Sequence, residues 1–306
     1  MDLNQAKYVL AINDFRSLTK AAASVFISPS ALNQQLAKIE KELGCTLFYH
    51  SHNEWTPTEA GEIYIEGARK AVTIQAETLE KINEVTHKTA SKIKIGFTPD
   101  RGLRIFACVY PTFHELHPNI TITPIEMAVK DQQEAISSGK LDFGFMMLTP
   151  SQRNSNTYLK IGSEDILAIV SKDHPLCALA ANPGEPLNEI SLLDLKNDPF
   201  LLINEESTLR KLSNELFKTA GFQPEILLEV TNGSVIPFLV SSMECCALVP
   251  RYYIKNPNVT YGCFFLDNHP TWDLCLSYQK NRYVSEPMKD LIKLFREYWN
   301  KVNLPL

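Results

Sequence analysis

Apolar residues recur every three or four positions through roughly the first quarter of the chain. Ala6, Val9, Leu10 and Ile12 predict a helix over 4–15, broken at Arg16-Ser17. Ser17 or Thr19 can cap a second, alanine-rich helix that runs to about Val25, with Phe26-Ile27 as the turn after it. Ser28 then caps a third helix, with Pro29 at its first position, where a missing N–H costs nothing. Leu32, Leu36, Ile39 and Leu43 form its buried stripe, and Gly44 stops it. Residues 45–55 read as two short strands around a polar tip, Ser51-His52-Asn53. Thr56-Pro57-Thr58-Glu59 has the form of a capping box, with threonine at the cap, proline next and glutamate three on. The helix it opens can run to about Lys88, about 45–50 Å at about 1.5 Å per residue. Tyr64, Ala68, Ala71, Leu79 and Ile82 predict a stripe on it that pairs with a second copy of the chain.

Beyond residue 91 the pattern changes to strands alternating with helices. Strands are expected at 92–97, 120–125 and 141–147, and helices at 101–117 and 130–138. A second run begins near Asp165, with strands at 166–170, 200–203, 226–230 and 247–249 and helices at 207–220 and 234–242. Repeated β–α–β units imply a parallel sheet covered by helices. After Ser285, Met288, Leu291, Ile292, Phe295, Tyr298, Trp299 and Val302 form a last amphipathic helix, expected to pack back on the first α/β run.

Bulk properties narrow the picture. The 306 residues are 44% apolar and 21% charged, which is ordinary globular composition and enough for two or three domains. No uninterrupted apolar run approaches a membrane span, and the first residues lack a signal-peptide pattern, so a cytoplasmic location is expected. The net charge of -5 excludes a passive basic coat for nucleic acid. Residues 1–58 are neutral: Lys7, Arg16, Lys20, Lys38 and Lys41 balance Asp2, Asp14, Glu40, Glu42 and Glu54. The seven cysteines, with Cys245 and Cys246 adjacent, read as reduced and mostly buried thiols. No phosphate loop, nucleophile–base set or metal-ligand spacing is evident, so no catalytic residue, metal or cofactor is expected, and the protein is not read as an enzyme. His114 and His117 share a helical face, but two ligands do not make a metal site.

With these elements in place, the chain resembles the LysR-type transcriptional regulators over nearly its whole length. The resemblance rests on Ser17-Leu18-Thr19-Lys20-Ala21-Ala22, Ser28-Pro29-Ser30-Ala31-Leu32 with Gln35-Leu36, Ile39-Glu40 with Glu42-Leu43-Gly44, Leu47-Phe48, and Thr56-Pro57-Thr58-Glu59-Ala60-Gly61. Lys172-Asp173-His174-Pro175-Leu176, Ala220-Gly221-Phe222 with Pro224, and Val249-Pro250 extend it. The chain departs from the family pattern at Gln34, at Tyr49-His50-Ser51, and at Met243 and Cys245. The resemblance implies an N-terminal α-helical winged helix-turn-helix (1–58), a linker helix that dimerises (59–90), and an α/β two-lobed, periplasmic-binding-protein-like effector domain (91–306). Lobe I would span about 91–163 and 269–306, and lobe II about 164–268.

On that frame, Ser28, Ser30, Asn33, Gln34 and Gln35 would face base edges, where amides pair with adenine, and Ala31 would meet a thymine methyl. Lys20, Lys38 and Lys41 would lie along the phosphates, and His50 is a further DNA-binding candidate. A small-molecule effector would bind between the lobes, at the carboxyl ends of strands. The candidates are Thr98, Pro99, Asp100, Arg101, Ala128, Val129, Phe145, Met146, Asn204, Ser207, Thr208, Thr231 and Asn232. Arg101, Lys130, Arg153 and Arg210 are the charged candidates for an anion, whereas Asp100 and Glu205-Glu206 leave room for an amine. The expected partners are double-stranded promoter DNA, an effector, and the protein itself as dimer or tetramer, with no membrane. The alternative is a cytoplasmic small-molecule binding protein with a vestigial DNA-binding domain.

Overall fold

The structure is a computed structural model and describes residues 1–51, 54–86, 92–99, 101–255 and 259–302. It divides into two compact units, Met1–Thr89 and Ala90–Leu306.

The first unit holds α1 (Leu3–Phe15), α2 (Leu18–Ser24), α3 (Pro29–Leu43), β1 (Phe48–Ser51), β2 (Glu54–Pro57) and α4 (Glu59–Thr86). Asp2 caps α1 through a reciprocal box with Gln5. Arg16, in the left-handed region at φ 51°, ends it. Ser28 caps α3 by accepting from the Ala31 N–H at 3.2 Å, and Gly44 at φ 71° closes that helix. Val9, Ile12, Ala21, Leu32, Leu36, Ile39, Leu47 and Ile65 make one core. β1 and β2 pair antiparallel from Phe48↔Pro57 to Ser51↔Glu54; the tip residues His52 and Asn53 lie outside the described residues.

Two expectations for α4 need correction. Its cap is Thr58, not Thr56, because β2 continues through Pro57. Thr58 Oγ1 accepts from the Gly61 N–H at 2.9 Å and donates to the Thr46 carbonyl at 2.8 Å. The stripe also divides. Ala68 is fully buried and Tyr64 packs on the first unit's core, while Leu79 and Ile82 are exposed together with Ile63 and Ile74. The first turns of α4 therefore complete this unit's own core, helped by the Arg69–Asp14 pair at 3.4 Å.

The second unit contains β3 (Lys92–Phe97), α5 (Arg101–Leu116), β4 (Thr121–Glu126), α6 (Val129–Ser137), β5 (Phe143–Leu148) and β6 (Thr157–Ser171). It continues with β7 (Glu189–Ile190), β8 (Pro199–Ile203), α7 (Thr208–Ala220), β9 (Glu225–Val230), α8 (Ile236–Val240), β10 (Cys246–Pro250), β11 (Tyr261–Leu266), β12 (Thr271–Tyr278) and α9 (Glu286–Val302). The strand order is β4-β3-β5-β12-β6-β10-β8-β9, with β11 pairing both β6 and β7. β3 runs parallel to β4 and β5, and β8 runs parallel to β9 and β10, as the β–α–β pattern requires. The sheet is nonetheless mixed, since β12 and β6 enter it antiparallel.

β6 divides this unit into lobes. Its residues from Thr157 to Asp165 pair with β12 in lobe I, and those from Ile166 to Ser171 pair with β10 and β11 in lobe II. The expected strand over 166–170 is the uniformly buried end of a 15-residue strand. The first part mixes Lys160, Gly162 and Glu164 with apolar residues and gives no unbroken run. β11 and β12 escape the sequence reading for the same reason, interrupted by Gly262 and Asp273. α9 packs on lobe I, its Phe295 ring 4.9 Å from Phe145 and stacked on it.

Gly61 has no room for a side chain: a Cβ there would lie 2.0 Å from the Leu47 carbonyl oxygen. Gly61→Ala is expected to force the wing and α4 apart and to destabilise this unit by about 3 kcal/mol, read as a lowered thermal midpoint. An unchanged melting curve would show that the contact is not a constraint.

Candidate functional site

In the first unit, α3 presents Ser28, Ser30, Asn33, Gln34 and Lys38 as exposed residues, with Ala31 and Gln35 half-buried. Lys20 on α2 and His50 on β1 are exposed as well, and the His50 ring lies 4.6 Å from the Trp55 ring. The neutral charge count conceals a division of labour. Asp2 caps α1, Asp14 pairs with Arg69, Glu40 accepts from the Leu47 N–H at 2.7 Å, and Glu42 accepts from Gln5 at 3.2 Å. Four of the five acids are thus engaged by the unit's own groups, while Lys20, Lys38 and Lys41 stay exposed.

In the second unit a cavity of about 580 Å³ opens between the lobes. Thr98 and Pro99 follow β3, and Ala128 and Val129 begin α6. From lobe II come Asn204, Ser207 and Thr208 between β8 and α7, and Thr231 and Asn232 after β9. These nine candidates line the cavity. Asp100 lies outside the described residues.

Three candidates do not line it. Phe145 shares its face of β5 with Met147 but lies deeper along the strand, buried and stacked on Phe295. Met146 is fully buried in a cluster with Ile136 and Cys275. Met147 takes the lining position. Arg101 is consumed by the interior: its guanidinium pairs with Glu164 and lies 4.4 Å from the Tyr252 ring centre. The other arginines are spent similarly. Arg210 reaches Glu229 at 2.6 Å and the Ile203 carbonyl at 2.8 Å, and Arg153 reaches Asp273 at 2.5 Å.

The cavity wall therefore has an unusual charge. Glu126 and Glu206 line it, and no Lys, Arg or His does so among the described residues. Ala128 stands at the cap of α6 and makes no side-chain hydrogen bond, so this helix offers its first-turn N–H groups uncapped by its own cap residue. Ser207 caps α7, accepting from the Leu209 N–H at 3.2 Å. Thr208 latches the lobes, its hydroxyl donating to the Met147 carbonyl at 2.9 Å. Ile203, Leu209 and Gly233 also line the cavity, as do Tyr253 and Trp272. Sequence reasoning missed both, because Trp272 belongs to an unrecognised strand and Tyr253 to the turn after β10. Glu126 and Met147 were legible in principle as strand-end positions.

Of the cysteines, Cys245, Cys246, Cys263 and Cys275 are buried, Cys177 is half-buried, and Cys45 and Cys108 are exposed. Burial pushes the Cys275 thiol up to about 11 and the Cys263 thiol up to about 12, so both stay protonated near neutrality. His117 pairs with Asp290 of α9 at 2.9 Å rather than with His114.

A helix-turn-helix unit joined to a two-lobed unit with a cavity between its lobes defines a ligand-responsive DNA-binding protein. Comparison with known proteins makes the class specific. Residues 3–62 match the model of the bacterial regulatory helix-turn-helix protein, lysR family, and residues 87–300 match that of the LysR substrate binding domain. The chain belongs to the LysR family of transcriptional regulators. It is 27% identical to the HTH-type transcriptional regulator YwbI of Bacillus subtilis, over 93% of this chain and 92% of that one. It is 27% identical to the HTH-type transcriptional regulator BenM of Acinetobacter baylyi, over 82% and 80%. Among solved structures, a full-length, singly substituted OxyR from Pseudomonas aeruginosa shares the fold at a TM-score of 0.69 and 19% identity, covering 97% of this chain and 94% of that one. The protein is thus a transcription regulator with a helix-turn-helix domain and a substrate binding domain of this family. No helix among the described residues is long and apolar enough to cross a membrane.

The joint between the lobes can be tested directly. Glu164 accepts from Trp272 Nε1 and from the Tyr252 N–H, each at 2.8 Å, besides pairing with Arg101. Glu164→Gln leaves a buried guanidinium without its counter-charge and is expected to cost about 3–5 kcal/mol. Adding Arg101→Met to it should recover part of the loss, measured by denaturant unfolding; simple additivity of the two losses would refute the pairing.

Proposed function

We propose that this regulator reads DNA with neutral polar groups of α3 and is controlled by a zwitterionic, amino-acid-like effector held between its lobes. The observation that carries the effector class is the wall itself: two carboxylates, Glu126 and Glu206, and no cationic side chain among the described lining residues. A simple dianion would meet repulsion there. An ammonium group satisfies the carboxylates, and a carboxylate end can rest at the start of α6, where N–H groups and the helix dipole favour negative charge. Thr98, Pro99, Ala128, Val129, Asn204, Ser207, Thr208, Thr231 and Asn232 belong to the proposed site, beside Met147, Tyr253 and Trp272. Effector binding shifts the balance between lobe arrangements by its differential affinity for them.

On the DNA side, Asn33, Gln34 and Gln35 serve as base readers, with Ser28, Ser30 and Ala31 beside them, and Lys20, Lys38 and His50 serve as phosphate contacts. The exposed Ile63, Ile74, Leu79 and Ile82 on α4 support dimerisation through the linker helix, with a helix-turn-helix unit up to about residue 58 and an effector unit from about 91. The protein acts in the cytoplasm and performs no catalysis, in keeping with relatives that are transcriptional regulators.

Two measurements test this reading. Lys38→Ala should weaken binding to specific and nonspecific DNA alike and reduce the salt slope by about 1, whereas Gln34→Ala should change sequence preference at one base pair and leave that slope unchanged. Equal behaviour of the two variants would refute the assignment. Calorimetric titration with a panel of amino acids, amines and dicarboxylates should find binding among the amino acids, weakened about tenfold (about 1.4 kcal/mol) by Glu126→Gln or Glu206→Gln. Binding of a dicarboxylate strengthened by these same variants would overturn the effector class.

A further inference from the structure

At the end of the lobe II sheet away from the cavity, three unlike side chains converge from three segments. His174 heads the short 3-10 turn that follows β6. Asp198 immediately precedes β8, and Cys246 opens β10, paired with Val170 of β6 and Phe200 of β8. Their ligand atoms lie within 4.8 Å of one another, and His174 Nε2 is 3.1 Å from Asp198 Oδ1. Cys246 is fully buried, while the His174 and Asp198 side chains are 14% and 26% exposed. A second cavity of about 270 Å³ is lined by all three and by Glu244.

We propose that His174, Asp198 and Cys246 form a binding site for a divalent transition metal of the zinc type, with Glu244 or a water from the adjoining cavity in the fourth position. The donor set selects the metal. Calcium and magnesium require shells of oxygen, which a thiolate and an imidazole do not supply. Zinc takes sulfur, nitrogen and oxygen together, at about 2.0–2.3 Å in a tetrahedron, which sets ligand atoms about 3.3–3.8 Å apart. The imidazole–carboxylate separation is already close to that, and no gap needs to close by more than about 1 Å. An open fourth position is the mark of an exchangeable site rather than a closed structural one.

The metal-free hydrogen bonding states what entry requires. The Leu176 N–H donates to His174 Nδ1 at 3.1 Å, so the neutral ring carries its proton on Nε2, directed at Asp198. A metal ion takes the place of that proton. The ring proton moves to Nδ1, the Leu176 N–H gives up its acceptor, the Cys246 S–H bond breaks to leave thiolate, and one proton is released to solvent per metal bound. The costs are that hydrogen bond and the ionisation of a thiol that burial and the neighbouring Asp198 disfavour, and the bonds from the metal to thiolate and imidazole must offset both. The consequence for regulation follows from the strands. β8 and β10 start at this site, and their far ends lead to Asn204 and Tyr253 in the interlobe cavity, so an ion that ties the starts together stiffens the framework of the effector wall. The proposal stands on lobe II geometry and does not depend on the effector class.

The test uses the full chain, reduced and stripped of metal, titrated with Co2+ and then Zn2+. A thiolate-to-cobalt absorption band should saturate at one Co2+ per chain, be displaced by Zn2+ and resist excess Mg2+, and Zn2+ should raise the thermal midpoint. Cys246→Val, an apolar replacement at a buried strand position, should abolish the band. His174→Gln should weaken affinity by more than about a hundredfold, and Cys245→Ala should leave it intact. Loss of the Nε2-bound proton signal of His174 on Zn2+ addition would report the tautomer change. If Cys246→Val does not fold, as read by circular dichroism, His174→Gln and Asp198→Asn carry the test. Absence of a saturable band in the wild type, or metal affinity unchanged in both of those variants, would overturn the site.

Discussion

One buried carboxylate organises the effector unit. Glu164 sits on β6 where the strand leaves its partner in lobe I and takes up those of lobe II: it pairs with Trp272, two residues before the Ile166–Pro250 pairing. Its two oxygens gather the Arg101 guanidinium from α5, the Trp272 indole from β12 and the Tyr252 N–H from the turn after β10. A charge in that setting is tolerable only when fully partnered. The requirement fixes three otherwise independent segments at the junction, and two of them, through Trp272 and the adjacent Tyr253, form part of the cavity wall. Wall geometry and lobe geometry are therefore one variable.

That coupling gives the cavity its leverage. The Thr208–Met147 hydrogen bond spans the lobes at the cavity's edge, and Gln152 adds a second contact from lobe I to the Thr208 carbonyl at 3.2 Å. A ligand touching both walls acts on the same contacts that set the lobe arrangement, and it shifts that arrangement only so far as it prefers one state. Four arginine and lysine positions offered an anion site in the sequence. Arg101, Arg153 and Arg210 instead serve the interior, pairing with Glu164, Asp273 and Glu229, and Arg210 also reaches Asn214 and the Ile203 carbonyl. Lys130 is exposed and outside the lining. What remains to meet a ligand is a neutral-to-acidic surface.

The readable and unreadable parts of this chain divide along physical lines. α3 was legible to the residue, because Ser28, Pro29 and Gly44 act locally on the backbone at the helix ends. The strands β3 and β4 were legible because apolar and polar residues alternate along them, and β8 because its apolar run is unbroken. The polar half of β6, and β12 with Asp273, were not, because what makes them strands is pairing across the sheet rather than local pattern. The Thr56-Pro57-Thr58-Glu59 motif misled by two residues: β2 uses the first threonine and the proline, and the second threonine takes the cap because Leu47 and Thr46 supply its partners. In the cavity, the strand-to-helix turns were found, whereas Phe145 and Met146 were chosen and Met147 was missed, since a fully buried strand shows neither which face nor which depth meets the cavity. The convergence of His174, Asp198 and Cys246 has no spacing signature, because three separated segments supply one residue each.

The helix-turn-helix unit makes a related point about charge. A count of five cations and five anions describes a neutral domain, and neutrality argues for weak attraction to a polyanion. Position changes the argument. The acids at 2, 14, 40 and 42 hold a helix cap, the Arg69 pair, the entry to the wing and the α1–α3 contact, so their charges are partnered within the unit. The lysines at 20 and 38 have no such duty in the fold's core and lie exposed beside the polar face of α3. With few phosphate contacts, each amide and hydroxyl on that face carries a larger share of the binding energy, and the share it carries depends on the base it meets. A sparse set of cations thus shifts the balance from affinity toward discrimination, and a second copy of the same surface restores the affinity that one copy lacks.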